Sequence, residues 1–209
     1  MAFSLTALLD DASAYILLQR AVGAHLARHA CIEALAPRPG DHILDIGCGP
    51  AYYLDRLPRC DYHGFDTDER YIAHARRQFG DRAKFFDEPY TEARRAELPR
   101  FEGVLLMGLL HHLDDRESDE LLDLVGRSLA PGGRVVSLDT VLFDDQSRLS
   151  RFLAKNDRGL FVRSPEAFRS LARHRFGRVE DRLLGDTLRM PAAHFMMVLS
   201  EPLQPQADE

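Results

Sequence analysis

A chain of 209 residues with 33 acidic and 27 basic side chains carries a net charge of −6, which argues against a nucleic-acid partner because phosphate binding leaves a basic footprint. Hydrophobic residues make up 45% and charged residues 29%, the balance of one ordinary globular domain around a single core. Cys31, Cys48 and Cys60 show no Cys-x-x-Cys spacing, so neither a disulfide framework nor a zinc site is expected and a reducing interior fits.

No apolar run reaches the ~18 residues needed to cross a bilayer, so no membrane partner is expected. The first residues lack a basic region followed by an apolar core, and the cytoplasm is the expected location. "ASAYILLQRAVGAHLARHACIEAL" repeats its apolar residues at helical spacing, and "APRPGD" stops it. "HILDIG" reads as a buried strand, "AYYLDRL" as a helix, "YHGFD" as a second strand and "DERYIAHARRQFG" as a helix. "AKFFD", "TEARRAEL", "GVLLMG" and "ESDELLDLVGRSLA" continue the alternation, and "PGGRVVSLDTV" turns into a fifth strand. "SPEAFRSLARHRF" begins with Ser-Pro, the signature of a helix start. Two strands are then expected around "GRVEDRLL" and "AAHFMMVLS". The expected organisation is a helical cap over 1–38, a main domain over 39–202 and a polar tail over 203–209. The segment 143–163 falls outside the strand–helix rhythm, as an insertion bordering a pocket.

Strands alternating with helices imply an α/β fold with a doubly wound parallel sheet and helices on both faces. Ligands of such sheets bind outside the carboxyl ends of the strands, and the turn after the first strand lies there. Gly47 and Gly49 remove the β-carbons that would hold a ligand off the backbone. Asp66, ending the second strand about twenty residues downstream, is placed to accept from ribose hydroxyls. Its alternative role is to cap the following helix.

"LDIGCGP", "GFDTDE", "GVLLMGLLHHLDD" and "LAPGGRVVSLD" follow in an order that resembles the motifs of the class I S-adenosylmethionine-dependent methyltransferases of the small-molecule type. The resemblance covers roughly residues 40 to 140 and implies a Rossmann-like seven-stranded sheet with an antiparallel last strand. It implies S-adenosylmethionine as cofactor. Asp45 would orient the turn or receive the ammonium, and Gly47, Cys48 and Gly49 would line the methionine and ribose portions. Asp66 would hold the ribose hydroxyls and Thr67 would border the adenine. Met107, Gly108 and Leu109 would pass under the methionine. Two departures stand out. Pro50 and Ala51 follow the second glycine where the family often has Gly-x-Gly-x-Gly. The acid that meets the adenine amino group is either Asp87 or Glu88.

Methyl transfer to a hydroxyl calls for a base. His111 and His112 follow the fourth strand, and an imidazole titrates near neutrality; His111 is the leading candidate, with one of the pair expected to point away. A metal site at "HHLD" is discounted because adjacent residues rarely converge on one ion. Substrate contacts are expected from Tyr15, Gln19 and Arg20 on the N-terminal helix, Arg158 and Arg163 in the insertion, and Arg189 and His194 near the last strand. A cluster of arginines would suit an anionic acceptor. Tyr52, Tyr53 and Tyr90 are further candidates, core packing being the alternative.

The leading expectation is O- or N-methylation of a small molecule by a monomer or homodimer. Two other readings stand beside it: S-adenosylmethionine as the substrate itself, cyclised or cleaved to methylthioadenosine, and an inactive cofactor-binding partner subunit.

Overall fold

The computed structural model describes residues 24–144, 146–155, 159–185 and 193–203. Helix α1 (Ala24–Leu35) precedes β1 (His42–Ile46), β2 (Asp61–Phe65), α2 (Glu69–Phe79), β3 (Ala83–Phe86), α3 (Glu92–Glu97), β4 (Phe101–Met107) and α4 (Asp115–Ser128). Then come β5 (Leu129–Thr140), α5 (Arg148–Lys155), α6 (Pro165–Arg173), β6 (Phe176–Leu184) and β7 (His194–Pro202). The sheet order is β3-β2-β1-β4-β5-β7-β6. Strands β1 to β5 pair in parallel, and β7 runs antiparallel between β5 and β6. This is the α/β architecture expected, with its antiparallel last strand. The chain order reverses between β1 and β4, so the cleft outside their carboxyl ends is the switch point where such sheets bind ligands.

The strands are uninterrupted apolar runs because both faces are covered. Ile43, Leu105, Met107, Val136 and Leu138 face a core shared with α1 and α2. Leu44, Leu106, Val135, Phe195 and Met197 face the core on the other side, with Leu122 and Val125 of α4 and Phe168 of α6. Helix starts follow the sequence signals. Asp68 caps α2, Asp114 and Glu117 close a reciprocal capping box on α4, and Ser164 caps α6 ahead of Pro165.

One expected helix is absent. "AYYLDRL" forms only a 3₁₀ turn over Leu54–Arg56. Ala51 before it holds a left-handed φ of +51°, and Leu57 is forced to an extended conformation ahead of Pro58. Part of the insertion is regular: α5 occupies Arg148–Lys155.

Gly64 of β2 lies at a crowded point beneath the turn after β1. A β-carbon there would lie 2.9 Å from Cys48 Sγ and 3.0 Å from ring atoms of both Phe85 and Tyr62. Gly64→Ala is therefore expected to lower stability by about 1–3 kcal/mol through overpacking, read as a fall in the denaturant midpoint at unchanged slope.

Candidate active site

Strand β1 delivers Asp45, fully buried, to the carboxyl edge. Its Oδ2 accepts from the phenol of Tyr53 at 2.7 Å and that of Tyr62 at 2.5 Å. Its Oδ1 has no hydrogen-bond partner among the described residues. A buried carboxylate oxygen with nothing to accept from is costly, and a cationic N–H group is its natural complement. Burial pushes the carboxyl up to about 6, against the opposing pull of Tyr62, Tyr53 and Arg28.

The sign of the pH effect follows by linkage. The folded carboxyl holds its proton more tightly than the unfolded one, so its contribution to ligand-free stability is present at acid pH and lost as pH rises through about 6. A cationic ligand group needs the carboxylate, so its binding strengthens over the same rise. Calorimetry is expected to show affinity for S-adenosylmethionine falling by up to about tenfold per pH unit on the acid side of that value. Asp45→Asn should flatten the profile.

The turn after β1 is held against β2: the amides of Gly47 and Cys48 both donate to Phe65 O, at 2.8 and 3.0 Å. Gly47 and Gly49 have φ of +73° and +54°, a region that suits glycine. A methyl group on Gly49 would meet nothing within 4 Å, whereas one on Gly47 would touch Leu109 at 3.4 Å. The turn is thus open at its second glycine and packed at its first. Ala51, where the family often has a third glycine, is fully buried at its positive φ, so no larger side chain suits the position.

Asp66 bridges this turn to the next loop. Its Oδ2 accepts from the Gly49 amide and its Oδ1 from the Asp68 amide, both at 2.8 Å. Because Asp68 caps α2, Asp66 is not needed as the cap and sits half-buried at the cleft. Burial raises its carboxyl above the ordinary range. Thr67 beside it is exposed. Asp87, directly after β3, is exposed and accepts from Arg76 Nη2 at 2.9 Å, a pairing that lowers its carboxyl. Glu88 accepts from Arg94 Nε at 2.6 Å.

Strand β4 ends in buried Met107, then Gly108 with a φ of +80° and an amide bonded to Leu138 O at 2.7 Å. A 3₁₀ turn over Leu110–His112 follows. His111 is 5% exposed, while His112 faces outward with its ring centroid 4.2 Å away. Asp139, buried near the end of β5, offers Oδ1 to the His111 amide at 3.1 Å and to the ring Nδ1 at 2.8 Å. With Asp139 ionised, that contact is a donation from Nδ1–H to Oδ1, the tautomer whose lone pair lies on Nε2. Sequence reasoning missed Asp139. The available signal was an acid closing the apolar run "VVSLD", as Asp45 closes "HILD".

Of the residues expected at the substrate side, His194 begins β7 at this edge, opposite Thr140 of β5. Arg163 is turned inward: it donates to Leu110 O, Leu113 O and Phe161 O and to Asp115. Tyr15, Gln19, Arg20, Arg158 and Arg189 lie outside the described residues. Tyr53 serves Asp45, and Tyr90 packs on Phe65 with its hydroxyl 2.8 Å from Ser128 Oγ. Leu160 is 83% exposed and Phe161 39% exposed, and the Phe161 amide donates to His111 O. Among the described residues no helix is long and apolar enough to cross a membrane.

Residues 43–133 match the family model described as a methyltransferase domain. The O-methyltransferase resE of Aspergillus sclerotiorum is 29% identical over 132 residues, 60% of this chain and 46% of that protein. The tRNA U34 carboxymethyltransferase of Idiomarina loihiensis is 30% identical over 115 residues, 50% of this chain and 34% of that one. The matches thus span less than half the length of these relatives. Human N-acetylserotonin methyltransferase, solved in complex with S-adenosylmethionine, shares the fold with a TM-score of 0.67 at 16% identity, over 96% of this chain and 57% of that chain. The chain thus contains a methyltransferase domain over residues 43–133 and shares the seven-stranded, Rossmann-like fold of the S-adenosylmethionine-dependent methyltransferases.

Proposed function

We propose that the chain methylates a hydroxyl group of a small-molecule acceptor, with His111 as general base and Asp139 as the residue that orients it. The observation that carries this reading is the buried 2.8 Å contact between His111 Nδ1 and Asp139 Oδ1 at the carboxyl edge of β4 and β5. A base is required when an acceptor must lose a proton, as a hydroxyl does, and is dispensable for a neutral amine. The dyad therefore favours oxygen over nitrogen.

The residues present suit the cofactor. Asp45 Oδ1 is a buried acceptor without a hydrogen-bond partner among the described residues, suited to an ammonium. The open side of Gly49 and the Asp66 carboxylate suit a ribose. In this reading Thr67 and Asp87 border the adenine, and Met107, Gly108 and Leu109 pass under the methionine, the roles that the resemblance implies. When bound, S-adenosylmethionine supplies a methyl group already activated by its sulfonium. The chain then has three tasks: to hold the reactants in line, to keep water out, and to remove a proton. His111 Nε2 accepts the hydroxyl proton, and the charge that develops on the ring is stabilised by Asp139.

Leu160 and Phe161 favour an acceptor with an apolar body. Arg163 faces inward and adds no support to an anionic acceptor. The charge of −6 speaks against an RNA acceptor of the kind named for the Idiomarina relative. The test is incubation with methyl-labelled S-adenosylmethionine and a panel of hydroxylated and aminated small molecules alongside bulk tRNA. Label on an oxygen of a small molecule is expected; label confined to nitrogen or to tRNA would overturn the reading.

A further inference from the structure

The end of the insertion touches the His111 turn at three levels. A β-carbon on Gly159 would lie 2.1 Å from His111 Cδ2 and 2.7 Å from His111 O, so the backbone passes directly over the ring and only glycine leaves space. Two residues on, the Phe161 amide donates to His111 O at 3.0 Å. Two further on, the buried Arg163 guanidinium donates through Nη1 to Leu110 O at 2.8 Å and through Nη2 to Leu113 O at 2.7 Å. These carbonyls flank His111 on either side. The same guanidinium bonds Phe161 O at 3.2 Å through Nη1 and Asp115 Oδ1 at 2.9 Å through Nε, and it lies 5.7 Å from the Phe168 ring centroid. Arg163 is itself pinned to the sheet margin by the Val141–Arg163 bridge and by the Leu142 amide, which donates to Arg163 O at 3.1 Å.

We infer that residues 159–163 are a positioning strap for His111, with Arg163 as its clasp. A 3₁₀ turn of three residues holds its own shape weakly. The ring reaches Asp139 only if the turn's carbonyls stay where the guanidinium holds them. Planar, forked and always charged, arginine can bond carbonyls on both sides of a turn, whereas lysine offers a single point. The geometry stands without any assumption about chemistry; its consequence for catalysis rests on the reading of His111 as base.

The test is nuclear magnetic resonance on the full chain labelled with 15N-histidine, recorded without an acceptor. The Nδ1–H signal of His111 is assigned by its disappearance in His111→Ala. In Arg163→Met, which keeps the apolar stem and removes the donors, the signal is expected to move toward that of a solvated imidazole or to broaden away. The backbone amide spectrum should still report a folded sheet, and affinity for S-adenosylmethionine should stay within about twofold, as for a site with no shared partners. Gly159→Ala should disturb the same signal from the opposite side, by displacing the ring. If Arg163→Met does not fold, Arg163→Lys keeps the buried charge and is read in the same way. An unchanged His111 signal with an unchanged pH titration would overturn the inference, and so would a loss of cofactor affinity as large as the change at His111. A lost signal with undiminished methyl transfer would leave the strap standing and remove His111 from the chemistry.

Discussion

Asp66→Ala is expected to weaken S-adenosylmethionine binding by about 100-fold or more. In the ligand-free protein the carboxylate already organises the seat, since its two oxygens accept from the amides of Gly49 and Asp68. Each oxygen keeps a second lone pair, and in the proposed seat these accept from the two ribose hydroxyls. A hydrogen bond to a charged group contributes about 1.5–3 kcal/mol, so losing two removes at least about 3 kcal/mol, and about 1.4 kcal/mol corresponds to a tenfold change in affinity. The variant also leaves the Gly49 amide without its acceptor, which lets the turn relax away from its binding shape. Isothermal calorimetry reads the effect directly. Asp66→Asn, which retains one acceptor oxygen, should fall between the variant and the wild type. An affinity within threefold of wild type in Asp66→Ala, on the order of 0.6 kcal/mol, would remove the nucleoside seat from this turn.

His111→Ala is expected to lower kcat for a hydroxyl acceptor by about 10²–10⁴, the range ascribed to a positioned general base, with the KM for S-adenosylmethionine little changed. Activity should not vanish, since proximity and alignment at the sulfonium persist. Asp139→Asn should show a smaller loss in the same direction, because the replacement weakens the charge that stabilises the protonated ring. Its His111 amide can still find an acceptor in the asparagine oxygen. A variant at His111 with unchanged kcat and an unchanged pH profile would place the proton's acceptor elsewhere.

The sheet was legible because its strands are buried on both faces and therefore read as apolar runs closed by glycine, proline or acid. Helix boundaries were legible where a side chain closes a backbone bond, as at Asp68, Asp114 and Ser164. "AYYLDRL" misled because helical composition cannot register that Ala51 sits at a positive φ. Asp45 and Asp66 stood out in the sequence because motif position and strand ends coincide there. Asp139 did not, since its partner His111 is 28 residues away and no periodicity links them. Arg163 was legible as an arginine near a pocket, but its partners are backbone carbonyls brought to it by the fold, which no residue pattern records. The tyrosines divide on the same ground. Tyr53 and Tyr62 meet at Asp45 from a turn and from the neighbouring strand, a convergence that only the register of β1 on β2 creates.

The central claim is that a methyl group leaves S-adenosylmethionine for a separate acceptor at this edge of the sheet. Mass spectrometry of the purified protein with S-adenosylmethionine, with and without a pooled small-molecule extract, tests it most directly. S-adenosylhomocysteine formed only when the extract is present, together with a product heavier by one methylene equivalent, is the predicted result. Methylthioadenosine accumulating without extract, or no turnover by a protein that binds the cofactor tightly, would contradict it.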